Sequence, residues 1–143
     1  MRRTALWLVA VGLALAGDSP KDEASRKDLE KLQGDWAAVA MTVGAQKLGD
    51  DDVQVIFRTV RGQNFSIFLF DQEINKGTFT IDATKNSKTV DTVSRGKTLQ
   101  GIYKLEGDTF TVCAAPPGKD RPKDFSSSEA SGHTLTVWQR EKK

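Results

Sequence analysis

From Gly34 onward, β-branched and aromatic residues alternate with polar ones in short runs, and nothing between the runs has the apolar spacing of a helix. This feature constrains the fold more than any other. Parallel strands need a crossover of a dozen or more residues, usually helical, so neighbouring runs here must pair antiparallel. Eight runs can be read: 34–43, 53–60, 64–70, 74–82, 88–94, 98–105, 109–115 and 133–141. The segments joining them include RGQ, ATKNSK, SRGK and EGD, which carry the Gly, Asn and Asp that tight hairpins require.

An open eight-stranded meander would leave two unpaired edges, and closure removes them. The sequence therefore predicts an all-β fold, an eight-stranded antiparallel up-and-down barrel, with a two-sheet sandwich as the rival. Alternation places Val53, Val55 and Phe57 on one face, and likewise Phe79 with Ile81, Tyr103 with Leu105, Phe110 with Val112, and Leu135 with Val137. These are the expected inward sets. The run FSIFLF is apolar on both faces, so one face should lie under the N-terminal helix or another covering segment.

The residues before Gly34 read differently. MRR followed by the uncharged run TALWLVAVGLALAG, with Ala14 and Ala16 at the positions an export peptidase reads, predicts a signal peptide over residues 1–16. That run is shorter than the roughly 20 apolar residues of a membrane span, and no stable membrane anchor is expected after cleavage. Residues 17–33 form a linker and a helix, with Ser19 as N-cap, Pro20 in the first turn and Gly34 just past the end. Ala24, Leu29 and Leu32 give it a thin apolar stripe. Residues 34–143 form the barrel domain.

Composition excludes several classes of function. Removing residues 1–16 takes away Arg2 and Arg3 and no acid, so the formal charge of +2 falls to neutral. A neutral chain with interspersed signs lacks the electrostatic footprint of a nucleic-acid partner. The single cysteine, Cys113, cannot form an intramolecular disulfide, and no Cys/His cluster points to a metal or other cofactor.

Certain motifs carry a resemblance. Gly34-Asp35-Trp36, preceded by a helical turn and matched by Arg140 on the last run, resembles the Gly-x-Trp and arginine pair of lipocalins. That likeness implies that Trp36 packs at the closed end of the barrel while Arg140 crosses over it, joining first and last strands. Alternation puts Arg140 on the face of Trp138, opposite Leu135 and Val137, so a bulge or an outward arginine is needed if those two point inward. The stretches DLEKLQGDW, GIYKLEGDTFTVC, PGKDRPKDF and GHTLTVWQREK are similar to those of an uncharacterised family of small exported proteins abundant in planctomycete bacteria. The likeness implies a lipocalin-like barrel and an exported, periplasmic or secreted protein, and it carries no activity over.

Barrel topology puts the connections 44–52, 71–73, 95–97 and 116–132 at one mouth. The last is long for a loop without structure of its own, and is read either as a lid with Phe125 turned inward or as a solvated connector. Lys119, Arg121 and Lys123 would meet an anionic head group, with Lys47 opposite. A mixed-charge rim that also contains Asp120, Asp124 and Asp50 to Asp52 accounts for the same residues. Asp50 to Asp52 lack the alternating ligands of a calcium loop. His133 and Ser126 to Ser128 allow a Ser/His/Asp set to be written, but no nucleophile elbow accompanies it.

Two functions follow. In the first, the barrel binds a small apolar or amphipathic ligand, with Phe57, Phe79, Tyr103, Phe110 and Val137 lining the interior and Phe125 and Arg121 at the mouth. In the second, the barrel is packed solid and its surface engages another protein of the cell envelope.

Overall fold

The computed structural model of the chain describes residue 20 and residues 22–142. The signal peptide expected over 1–16 and the Ser19 cap lie outside them. Helix α1 spans Glu23–Leu32, one turn later than a Ser19 cap would start it, because Asp22 caps it: the Asp22 carboxylate accepts a hydrogen bond from Ser25 N at 2.7 Å. Strands follow as β1 (Gly34–Val43), β2 (Gln46–Lys47), β3 (Ile56–Arg61), β4 (Asn64–Leu69), β5 (Gln72–Asp82), β6 (Thr89–Ser94), β7 (Lys97–Glu106), β8 (Thr109–Ala114) and β9 (Thr134–Arg140). A four-residue helix, α2 (Asp50–Val53), lies between β2 and β3. Among the described residues no helix is long and apolar enough to cross a membrane.

Every pairing is antiparallel, and β1 bonds both β3 and β9, which closes eight strands into an up-and-down barrel with β2 outside it. The β1–β9 seam runs from Trp36 opposite Arg140 to Val43 opposite Thr134, with its register shifted between Ala38 and Ala40. Double pairing of one strand is what distinguishes closure from a sandwich.

The run expected over 53–60 is a helical turn followed by a later strand. Asp50, Asp51 and Asp52 stand in the first turn of α2, where carboxylates complement the free amides of a helix start. Val53 and Leu48 then pack against the barrel core from the mouth.

At the opposite end α1 seals the barrel. Trp36 is fully buried there and donates from Nε1 to Leu32 O at 2.9 Å. The Arg140 guanidinium lies 4.4 Å over the Trp36 ring, donates from Nη1 to Gln33 O at 2.8 Å and from Nη2 to Lys31 O, and meets Asp108 through Nε at 3.3 Å. This is the arrangement the Gly34, Trp36 and Arg140 motif implies. Gly34 serves it directly: its φ is 120°, and a Cβ there would stand 3.3 Å from Arg140 Nη1.

The helix docks through Leu29 and Leu32 of the expected stripe, but with polar groups in place of Ala24. Ser25, Asp28 and Leu32 are buried while Ala24 is exposed. Ser25 Oγ accepts from Ala83 N at 2.8 Å, and Asp28 accepts from Tyr103 OH at 2.8 Å and Lys88 Nζ at 2.9 Å. Because α1 caps the end, it covers neither face of β4. Phe68 pairs with Phe57 on the outside of the wall, both half-buried.

Candidate functional site

The inward faces follow from register. On β3 the buried residues are Ile56, Arg58 and Val60, so Phe57, between Ile56 and Arg58, points outward. On β9 the buried residues are Thr136 and Trp138, and Trp138 stands opposite core residues Phe110 and Ala38. Val137 therefore faces outward with Ala40 and Thr111, and Arg140 shares the inward face of Trp138 without needing a bulge in β9. Both corrections have one cause. Assigning aliphatics inward by hydropathy gave the wrong parity wherever an arginine or threonines occupy the interior.

The interior has two tiers. Toward α1, Trp36, Val60, Phe79, Ile81, Val90, Tyr103 and Phe110 are all buried, with Phe110 centred 5.7 Å from Trp36 and 6.1 Å from Tyr103. Phe79, Tyr103 and Phe110 thus point inward as expected, but belong to this sealed tier. Toward the mouth, Met41, Ile67, Thr92, Leu99 and Val112 also point inward, yet are only half-buried. Met41, Ile67 and Val112 pack against the buried core, with Leu48 and Val53 at the same end, and this less buried mouth half is termed the cup. Its rim residues Val43 and Leu69 are 47% and 40% exposed.

Arg58 lies between the tiers. It is 9% exposed, and its guanidinium carbon sits 4.9 Å from the ring of Phe65, 5.6 Å from Phe110, 5.8 Å from Trp138 and 5.9 Å from Phe79. No carboxylate, carbonyl or hydroxyl of the described residues hydrogen-bonds it, and Nε is entirely enclosed. Burial pulls its pKa down to about 10 from 12.5. At neutral pH it remains a cation in an aromatic cage.

The loop 116–132 does not close the mouth. It folds back along the outer wall, where Arg121 donates to Gly101 O at 2.8 Å and pairs with Asp91 at 2.7 Å, and Phe125 lies under Lys104 Nζ at 5.0 Å. Cys113 Sγ meets Ser126 O at 3.3 Å. Beneath this flap Ile102, Cys113 and Ala115 are buried, although Ile102 and Cys113 face outward, and all three stand apart from the barrel core. Arg121 and Phe125 are therefore wall fasteners, not mouth residues. The apolar outer surface of β7 and β8 has a stronger hold on Phe125 than a half-solvated cup has.

No catalytic set assembles around His133. Its Nδ1 faces Ser126 O at 3.4 Å, the Ser126 hydroxyl donates to Asp124, and the Ser127 hydroxyl donates to Gly44 O and His133 O. Among the described residues no three His, Cys, Asp or Glu side chains converge as metal ligands would.

The residues that sequence reasoning missed are Arg58 and the cup lining of Met41, Ile67, Thr92 and Leu99. A signal was present: Ile56, Arg58 and Val60 share a period-two face whose aliphatic members mark it as inward. No protein-family model matches the chain, and no curated protein matches it in sequence.

Proposed function

We propose that this chain is an exported binding protein, periplasmic or secreted, that takes a small amphipathic ligand into the mouth half of its barrel. The observation that carries the reading is the half-burial of Met41, Ile67, Thr92, Leu99 and Val112, all on inward faces. An eight-stranded barrel is at the size where side chains either fill the interior or leave space for one small ligand. Here most inward residues of the α1 half are fully buried, and those of the mouth half are less so. Aliphatic walls beside Thr92 and Thr136 suit a molecule with an apolar body and a polar group. The resemblance to small exported planctomycete proteins and the leader expected over residues 1–16 support the location.

Native mass spectrometry of the protein purified from its own host tests the reading, with anything bound released by denaturation. One small molecule per chain is expected. Val112→Trp, which fills the cup from β8, should expel that molecule and leave the fold intact. Retention of the molecule in the filled variant would refute a cup site.

A second reading rests on a separate observation. Leu69, Phe70 and Ile74, at the hairpin joining β4 and β5, are 40%, 66% and 44% exposed. They support a contact with another protein of the envelope, which crosslinking from position 70 in the native host would capture.

A further inference from the structure

Arg58 lies where a barrel interior normally carries a leucine or valine, and what surrounds it defines a ligand chemistry. The four rings around it offer only a diffuse attraction, and the enclosed Nε finds no acceptor. A buried charge without a hydrogen-bonded counter-charge is unfavourable. Two partly buried cations at the α1 end have such partners: Lys88 bonds Asp28, and Arg140 bonds Asp108 and two carbonyls. Arg58 differs from them also in position, at the floor of the cup.

We infer that the cup's ligand is a carboxylate on an apolar body, entering acid-first so that its two oxygens pair with the Arg58 guanidinium while its body lies along Met41, Ile67, Leu99 and Val112. The inference rests on the binding reading above and names the ligand's chemical class. One guanidinium balances one carboxylate, and its planar fork matches the two oxygens. A phosphate dianion would leave a net negative charge buried against Phe65, Phe79 and Trp138 with no second cation. The cation at the floor and the apolar atoms on the walls fix the direction of entry.

The test uses the full mature chain with three probes of equal chain length, dodecanoate, dodecanol and dodecyl phosphate. Binding is followed by the fluorescence of a Trp36→Phe variant, in which Trp138, 5.8 Å from the Arg58 guanidinium carbon, is the emitting residue of the mature chain. The expected result is a preference for dodecanoate over dodecanol of about a hundredfold, as a buried charge-paired hydrogen bond warrants. Arg58→Met should remove the preference and leave dodecanol binding within a few-fold. Arg58→Gln provides a second neutral variant should the first not fold. Equal binding of acid and alcohol with Arg58 in place would overturn the acid-first inference while the cup reading stood. Failure of every probe to bind would overturn the cup reading itself. A preference that survives in both neutral variants would remove Arg58 from the site, and tighter binding of dodecyl phosphate would overturn the choice of carboxylate.

Discussion

Replacing Arg58 by methionine should leave the unliganded protein at least as stable as wild type. Burial lowers the Arg58 pKa from 12.5 to about 10, and at about 1.4 kcal/mol per unit this puts the desolvation cost of the charged form near 3.5 kcal/mol. Against it stand four ring faces at 4.9 to 5.9 Å, toward the far end of the useful range. Each contributes roughly 0.5 to 1 kcal/mol, and the contributions are not additive. Methionine occupies a similar length, loses no solvation, and recovers part of the contact through thioether–aromatic packing of about 0.3 to 1.5 kcal/mol. The balance falls between no change and a gain of about 3 kcal/mol. Urea unfolding at neutral pH, followed by tryptophan fluorescence, measures it, with a rise in Tm of a few degrees per kcal/mol as a cross-check. A loss of more than about 1.5 kcal/mol would refute the reasoning. It would mean that the aromatic cage is a structural contact that stabilises the arginine fully, and the case for an external counter-ion would go with it.

Four further outcomes follow from the same geometry. Trp36→Ala should destabilise by about 3 to 5 kcal/mol and Arg140→Leu by about 2 kcal/mol, and hydrogen exchange should show α1 amides losing protection in both. Burial, with Asp28 beside it, pushes the phenol of Tyr103, the single tyrosine, far above its ordinary 10.0. Stability is therefore flat with respect to this group below pH 10 and falls above it, as the unfolded chain sheds a proton that the folded chain keeps; near-ultraviolet absorbance should show tyrosinate appearing only with unfolding. Arg58 acts in the opposite sense over that range, since the folded state sheds its proton first, so the alkaline fall should be steeper in Arg58→Met. Cys113, whose thiol burial pushes up, should react with a disulfide reagent only when the flap lifts, and Phe125→Ala should speed that reaction at least tenfold. Phe70, exposed and held at φ 58°, should be replaceable by glycine with a gain of about 0.5 to 1 kcal/mol in urea unfolding.

The barrel was legible because its causes are local. Turn residues and the absence of crossover helices dictate an antiparallel meander, and the meander's edges dictate closure. The Trp36 and Arg140 pair was legible through motif likeness. Parity was not, for a physical reason. Hydropathy assigns faces correctly only when the interior is uniformly apolar, and here Arg58, Thr92 and Thr136 point in while Phe57, Phe68 and Val137 point out. The flap over Cys113 was hidden for a related reason. Nothing local says whether an aromatic such as Phe125 turns to a mouth or to a wall, because the apolar surface it covers comes from β7 and β8.

The two ends of the barrel thus differ in kind. At the α1 end, Trp36 donates to Leu32, Arg140 to Gln33, and Tyr103 and Lys88 to Asp28, so polar groups are matched within the chain and the packing is dry. Toward the mouth, inward aliphatics are only half-buried, and between the two tiers the Arg58 Nε has no acceptor among the described residues. A domain of this size has a net stability of only about 5 to 15 kcal/mol, so a buried charge with a net cost of up to about 3 kcal/mol is a sizeable fraction of it. Selection for folding alone would replace that arginine with an aliphatic residue of similar volume, which β3 already carries on either side of it in Ile56 and Val60. On the proposed reading, the carboxylate of the ligand supplies the negative charge that the aromatic cage of Arg58 lacks, and the ligand enters from the mouth.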